Sequence, residues 1–466
     1  MTSREGSAGL ADPLPIEGPV RRFRAMVKPP GSKSLSNRLF VLAGLARGRS
    51  LIRRPLLGAD DTERMLGALS ALGAEVERVE GGHVAVQGVE GTWKVEGGVR
   101  LDLGNAGTAV RFLTAAALLA DGPVTIDGNA RMRQRPIGEL VEAMRWMSGE
   151  VEYLDRAGRL PLMVEPLADR ESSRALRIPT TMSSQYISAL LMVGSWLEHG
   201  LTIKLVGEIT SRSYIAMTVG LLDQLGACVR TSDDLRVMRV GPALNERGEH
   251  GPPGIGPFDI EVEADASGAT YFWGAAALVD GATCRVEGIR SDSLQGDVGL
   301  CDILRRMGAT IERAGAKEAW IECRGTGRLT PVMADMSDMP DAAVTLAVVA
   351  AFANGRSILR GLKTLRVKEC DRLAALRTEL AKIGVEVETD VMGDAGAMTI
   401  SPPAGGVDCS SRAAPVVFDT YDDHRMAMAL SLVGLRRPGV SIKDPGCVGK
   451  TYPGFWEDFG RLVGES

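Results

Sequence analysis

Residues 69–77 read Leu69-Ser70-Ala71-Leu72-Gly73-Ala74-Glu75-Val76-Glu77: an apolar helix end, a glycine, then the start of an alternating strand. The pattern recurs at 144–153 (MRWMSGEVEY), 221–229 (LLDQLGACV), 303–311 (ILRRMGATI), 379–387 (ELAKIGVEV) and, in degenerate form, 455–463 (FWEDFGRLV). Its glycines, Gly73, Gly149, Gly226, Gly308, Gly384 and Gly460, are spaced by 76, 77, 82, 76 and 76 residues. A glycine just past a helix takes up the left-handed conformation that turns the chain back into a strand. One such signal is ordinary; six at near-constant spacing predict six copies of one α/β module.

Each module has room for two helices. In the first, one starts near Ser34 and carries Leu35, Leu39, Leu42 and Leu45 on one face. A second starts at Asp60-Asp61 and ends at Gly73. Corresponding starts fall near Gly107 and Pro136, Ser184 and Ser211, Ser267 and Gln295, Asp341 and Lys368, and Asp423 and Thr451, with strand-like runs such as VTID (124–127) and LTIKLV (201–206) between. The longest interval holds Gly251-Pro252-Pro253-Gly254-Ile255-Gly256-Pro257, the clearest linker. The expected organisation is two lobes of three modules: residues 31–251, and residues 252–466 together with a first strand from 21–30. Residues 1–20 read as a flexible tail.

A chain of 466 residues exceeds what one core usually serves, which also favours two bodies. Its 45% apolar and 24% charged content is that of a globular protein. With 54 Lys and Arg against 59 Asp and Glu, the net charge of −5 argues against a broad nucleic-acid surface. The seven cysteines include no C-x-x-C pair, and the four histidines no H-x-x-x-H, so no metal or redox motif stands out. An odd number of scattered cysteines suggests reduced thiols and a cytoplasmic setting. The N-terminal stretch is acidic and lacks the apolar core of a signal peptide, and no run approaches the ~18 apolar residues of a membrane span.

The polar motifs gather at the predicted helix starts, where unpartnered backbone N–H groups and the positive end of the helix dipole favour anions. Gly31-Ser32-Lys33-Ser34 with Arg38 opens the first helix, and Gly104-Asn105-Ala106-Gly107-Thr108 the next module. Arg131, Arg133 and Arg135 lead to Pro136, a favoured first helical residue. Ser183-Ser184-Gln185 and Ser211-Arg212-Ser213-Tyr214 open two more helices. In the second half come Pro340-Asp341, Arg366-Val367-Lys368-Glu369-Cys370-Asp371-Arg372, Asp422-Asp423-His424-Arg425 and Lys450-Thr451. Taken singly, each Ser, Asp or Gly is an ordinary cap, and Gly31-Ser32-Lys33-Ser34 lacks the earlier glycine of a nucleotide-binding P-loop. Their repetition in register with the modules points to a ligand with more than one anionic group. Lys368 and Arg372, four residues apart, are expected on one helical face.

Six of these stretches carry a family resemblance: PGSKSLSNR (30–38), LGNAGTAVRFL (103–113), RMRQRPIGEL (131–140), SSQYISALL (183–191), LRVKECDRL (365–373) and YDDHRMAMAL (421–430). In this order, from about residue 20 onward, the chain resembles the 5-enolpyruvylshikimate-3-phosphate synthases among the enolpyruvyl transferases. The resemblance implies two lobes of three βαβαββ units closing around two substrates. It also implies enolpyruvyl transfer from phosphoenolpyruvate to the 5-hydroxyl of shikimate 3-phosphate, the sixth step of chorismate and aromatic amino acid biosynthesis.

By the same resemblance Lys33, Ser34, Arg38, Ser183, Ser184, Gln185, Ser211, Tyr214, Asp341 and Lys368 bind shikimate 3-phosphate. Lys33, Asn105, Gly107, Arg131, Gln185, Arg372, Arg425 and Lys450 bind phosphoenolpyruvate. Asp341 is the implied base and Glu369 the proton donor, with Lys33 sharing the proton transfers. No metal or organic cofactor is implied, and a monomer is expected. Two positions depart from the family pattern: Thr364, where asparagine is frequent, and Phe112, where proline is frequent. Glycine at 107, not alanine, implies sensitivity to glyphosate. Two other readings are disfavoured. The sister transferases acting on UDP-N-acetylglucosamine commonly carry a catalytic cysteine in their first half, and the first cysteine here is Cys228. A six-module DNA clamp would spread its cations over helix faces rather than gather them at helix starts.

Overall fold

The computed structural model describes residues 9–171, 174–179, 183–242, 253–315 and 318–464. The chain forms two compact units, Gly31–Val262, and Met1–Pro30 with Glu263–Ser466. Among the described residues each unit contains three small sheets.

The second sheet of Gly31–Val262 displays the module. Strand Val99–Asp102 leads through helix Gly107–Ala116 to Val124–Asp127, which pairs parallel to it, as a helical crossover requires. Helix Gly138–Trp146 follows, then strands Val151–Tyr153 and Leu162–Val164. The last strand pairs antiparallel with both Val124–Asp127 and Val151–Tyr153. The sequence order is therefore βαβαββ. The same parallel–antiparallel–antiparallel ladder recurs in the sheets built around Arg49–Arg53, Leu201–Leu205, Thr283–Glu287 and Ser357–Arg360.

Two modules take their first strand from a distant part of the chain. Asp259–Glu261 heads the sheet containing Arg49–Arg53, and Arg24–Val27 heads that containing Thr283–Glu287. Pairing of Asp259–Glu261 with Arg49–Arg53 carries the first unit on to Val262, past the expected boundary at residue 251. Gly251 and Pro252 of the predicted linker lie outside the described residues.

Each module sends its first helix into the core. Ala266–Leu278, Ala343–Ala350 and His424–Ser431 are buried along their whole length and pack on one another. The first two are apolar all round, as helices in a core should be, and the alanines of all three permit close approach. The Thr270 and Thr345 hydroxyls meet at 3.0 Å, which fixes the register of the first two. Lys33–Leu45, Gly107–Ala116 and Ser184–Gly194 play the same part in the other unit.

Four of the six repeat glycines adopt the expected left-handed conformation: Gly73, Gly226, Gly308 and Gly384. In the second copy Ser148 takes it instead (φ 63°), one residue early. The sixth differs more. Gly460 lies inside helix Phe455–Gly464, and the two closing strands of the module are replaced. Their place beside Val440–Ile442 is filled by Leu14–Pro15, antiparallel, with Leu14 opposite Ile442 and Pro15 opposite Ser441. Ile16 N donates to Val440 O at 2.9 Å, Val20 N to Leu435 O at 2.9 Å, and Asp12 Oδ1 accepts from Asp444 N at 2.9 Å. Residues 12–20 are therefore docked, not a flexible tail, because an incomplete sheet offers them an unpaired edge. Residues 1–8 of that expected tail lie outside the described residues.

Ile16 is buried against Gly434. Ile16→Ala is expected to cost about 2–4 kcal/mol of stability, read as a lower urea midpoint at unchanged slope. No shift would show that the N-terminal segment does not support the last module.

Candidate active site

In Gly31–Val262 the functional side chains sit at the helix starts. Ser32 caps Lys33–Leu45, and Lys33 Nζ lies 2.9 Å from Asp61 Oδ2, a nearly buried carboxylate on the next helix. Arg38 is fully buried. Its Nε donates to Thr218 Oγ1 (2.7 Å), Nη1 to Ser34 O (2.8 Å), and Nη2 to Ser188 Oγ (3.2 Å) and Tyr214 O (3.1 Å). All are uncharged acceptors. Burial pushes its pKa down to about 10, so it remains a cation at neutral pH. Arg38 also lies 5.2 Å from the centre of the Phe112 ring, so the phenylalanine that departs from the family pattern packs on a proposed binding residue.

Gly107 opens Gly107–Ala116 without a side-chain cap. A Cβ there would sit 2.8 Å from Arg135 Nη1 and 2.9 Å from its Nη2, so glycine admits the guanidinium to the helix end. Gln185 Nε2 donates to Thr108 Oγ1 at 3.2 Å and joins the start of Ser184–Gly194 to the same place. Ser183 caps that helix, Ser184 is buried, and Asn105 immediately precedes the Ala106 cap position. Ser211 is a buried N-cap in the left-handed region (φ 53°), and Tyr214 lies in the turn that follows.

The three arginines before Pro136 divide their roles. Arg133 is paired with Asp127 at 2.7 Å, and half-buried Arg131 donates to Gln134 Oε1 at 3.3 Å. Arg135 is buried, and its Nε and Nη1 have no hydrogen-bond partner. Sequence reading marked the basic run but picked Arg131. The available signal was adjacency to Pro136, which fixes the course of Arg135 into the module.

The other unit holds a dense ion cluster. Arg372 Nη1 contacts Asp341 Oδ1 (2.8 Å), Nη2 contacts Glu369 Oε2 (2.8 Å), and Nε contacts Asp423 Oδ2 (2.7 Å). Asp341 also lies 3.2 Å from Arg425 and 3.4 Å from Lys368, and Glu369 2.9 Å from Lys450. Four cations thus share three carboxylates. Lys368 and Arg372 do meet through Asp341, but not on a helical face. Lys368 ends the 3-10 turn Lys363–Val367 in an extended conformation, and Asp371 caps a helix that starts only at Arg372. Likewise the helix expected from Thr451 starts at Phe455, after the turn Pro445–Lys450.

Burial alone would raise the Asp341 carboxyl, but Arg425, Lys368 and Arg372 hold it well below the usual range. Burial lowers Lys368. Burial would also lower Arg372, yet Asp423, Glu369 and Asp341 raise it above its ordinary value. Asp297, which sequence reading missed, is buried with Oδ2 on the Ser267 hydroxyl and Oδ1 without a partner. Burial pushes its pKa up to about 6 against the pull of Arg425. Thr364 is buried with its hydroxyl unpartnered. Cys370 contributes only a 3.5 Å contact to Asp423. Among the described residues no cluster of His, Cys, Asp and Glu is disposed to hold a metal, and no helix is long and apolar enough to cross a membrane.

The repeated βαβαββ modules place the chain among the enolpyruvyl transferases. The fold is similar to that of EPSP synthase from Acinetobacter baumannii (TM-score 0.74, 25% identity, 96% of this chain and 97% of that one). It is also similar to that of the enolpyruvyl transferase NikO from Streptomyces tendae (TM-score 0.72, 18% identity, 96% of each chain). The 3-phosphoshikimate 1-carboxyvinyltransferase of Ralstonia pickettii is 41% identical over 96% of this chain and 98% of its own length. That of Thiobacillus denitrificans is 42% identical over 95% and 97%. Residues 18–459 match the EPSP synthase (3-phosphoshikimate 1-carboxyvinyltransferase) family, to which the chain belongs.

Asp297 makes stability depend on pH with a definite sign. Its pKa rises from 3.8 to about 6 on folding, so the folded chain holds the proton longer. Stability should fall as pH rises through that window, by up to about 3 kcal/mol, and level off above it. Asp297→Asn removes the titration. Its stability relative to the parent, from urea unfolding, should improve between pH 4.5 and 7.5; a constant difference would contradict the burial argument.

Proposed function

We infer that the chain is a transferase that moves the enolpyruvyl group of phosphoenolpyruvate to the 5-hydroxyl of shikimate 3-phosphate and releases phosphate, in the pathway to chorismate and the aromatic amino acids. The observation that carries this reading is Arg135, a buried guanidinium with two unpartnered nitrogens at the open start of Gly107–Ala116. A cation taken out of water without a counter-charge is costly, and an anionic substrate supplies that charge. Arg38, whose acceptors are all neutral, is the second such cation.

We assign Lys33, Ser34, Arg38, Ser183, Ser184, Gln185, Ser211, Tyr214, Asp341 and Lys368 to shikimate 3-phosphate. Phosphoenolpyruvate falls to Lys33, Asn105, Gly107, Gln185, Arg372, Arg425 and Lys450. Arg135 replaces Arg131 as the arginine supplied by the 131–140 segment, because Arg131 is half-exposed and donates to Gln134. The hydroxyl oxygen bonds to C2 of phosphoenolpyruvate as its proton passes to Asp341, and C3 takes a proton from Glu369, which gains that proton once phosphoenolpyruvate draws Arg372 and Lys450 away from it. The resulting ketal phosphate then loses phosphate from C2 while Glu369 takes the proton back from C3, which restores the double bond. Asp341 is a weak base while Arg425, Lys368 and Arg372 surround it. Anionic substrates that engage these cations relieve it and raise its proton affinity when it is needed. Glyphosate, a small anion, would use the phosphoenolpyruvate cations. Seven free cysteines suit a cytoplasmic enzyme.

Phosphate release from phosphoenolpyruvate should require shikimate 3-phosphate; release with UDP-N-acetylglucosamine in its place would overturn the assignment. Arg135→Met should lower kcat/KM for phosphoenolpyruvate about 100-fold, with Arg131→Met within a few-fold of the parent. The reverse order would restore Arg131.

A further inference from the structure

The loop that delivers Asp423 and Arg425 follows an unfavourable course. Tyr421 (φ 58°) and Asp422 (φ 55°) are consecutive residues in the left-handed region, which side chains with a Cβ disfavour. Such a course persists only where the surroundings hold it, and here a buried carboxylate takes part in the holding. Glu379 is buried on helix Arg372–Ala381. Its Oε1 accepts from the Tyr421 hydroxyl at 2.7 Å, and its Oε2 accepts from Asp419 N at 2.9 Å and from Lys382 Nζ at 2.6 Å. Asp419 Oδ1 in turn accepts from Tyr421 N at 3.0 Å. The other charged groups facing this corner are Lys443, 3.4 Å from Asp419, and Lys382, which also donates to Val417 O at 3.0 Å.

The same helix grips the same loop at a second point. Arg372, at its first position, donates to Asp423, whose carboxylate also caps His424–Ser431 by accepting from Arg425 N at 2.9 Å. Arg372 and Glu379 are seven residues, two helical turns, apart and lie on one face. Residues 419–423 are thus pinned at both ends to one rigid rod that itself carries Arg372. Burial and the Glu379 carboxylate push the Tyr421 phenol above its ordinary pKa, so it stays protonated and remains a donor at any working pH.

We propose that Glu379 is a positioning residue that, through Tyr421 and Asp419, keeps Arg425 in register with Arg372 as a pair for the phosphoenolpyruvate anion. The proposal rests on the assignment of Arg372 and Arg425 to that substrate. The carboxylate accepts on both oxygens. Glutamine keeps one acceptor, so it serves Asp419 N and Lys382 Nζ only by facing its N–H2 group to the Tyr421 hydroxyl, which must then reverse from donor to acceptor, and it loses the charge paired with Lys382, all at unchanged volume.

Steady-state kinetics in both substrates, with thermal melts of the full chain, test this with Glu379→Gln, Tyr421→Phe and Arg425→Lys. Tyr421→Phe keeps the ring of a partly exposed residue and serves if Glu379→Gln fails to fold. The expected result is a KM for phosphoenolpyruvate raised about tenfold in Glu379→Gln and several-fold in Tyr421→Phe, with the KM for shikimate 3-phosphate within about twofold. Unchanged phosphoenolpyruvate KM in both clamp variants, with Arg425→Lys raising it, would overturn the clamp. So would equal losses for both substrates that track the melting temperature, since that is the signature of a merely structural group. An unchanged KM in Arg425→Lys would instead overturn the anion-site assignment, and the purpose of the clamp with it.

Discussion

Arg372 is almost wholly removed from water, where a charge is costly unless it is matched, and carboxylates from three segments surround it. Asp341 arrives at the start of one buried helix, Asp423 at the start of another, and Glu369 in the turn before Arg372 itself. Replacing any one of them leaves charge uncompensated in a medium that solvates it poorly, which is why such a cluster fixes geometry better than it adds stability. The order of segments in this unit therefore follows from electrostatics as much as from packing. The core helices could slide as apolar cylinders, but their charged ends allow one alignment.

The two units meet the same problem in different ways. Around Arg372 the cations are matched by protein carboxylates, and substrate must compete for them. At Arg38 and Arg135 the protein supplies neutral acceptors or leaves nitrogens unpartnered, and stability is given up in advance for a ready anion site. Lys33 with Asp61 is intermediate. Anion affinity should accordingly come mainly from Gly31–Val262, and control over proton transfer from the other unit, where Asp341 is held ionised until its neighbours are drawn away.

The repeat was legible because a helix end, a glycine and a strand leave local marks, and the helix starts were legible because caps are local too. The six α/β modules, their two helices apiece and the grouping of charged motifs at helix starts emerged from that alone, whereas the βαβαββ order came with the family resemblance. Side-chain burial was not legible. Arg131 and Arg135 are the same residue type in one short run; adjacency to Pro136 marks only the second, and packing against Gly107 is what separates them. Lys368 looked helical by spacing until Asp371 captured the cap three residues later. Leu14–Pro15 is too short to show a period, and its pairing depends on what the last module lacks. Glu379 looked like an ordinary polar position within a repeat, since its loop partners Asp419 and Tyr421 are 40 and 42 residues away.

The borrowed first strands have a consequence for how the chain is made on the ribosome. Gly31–Val262 is one uninterrupted segment and holds all its strands once Glu261 has emerged. The other unit begins with Arg24–Val27 and Leu14–Pro15, whose partners at Thr283–Glu287 and Val440–Ile442 are translated much later. Those early strands must wait, unpaired, while an entire insert is synthesised and folds, so nascent-chain protease protection should appear first in the middle of the polypeptide and last at its two extremities.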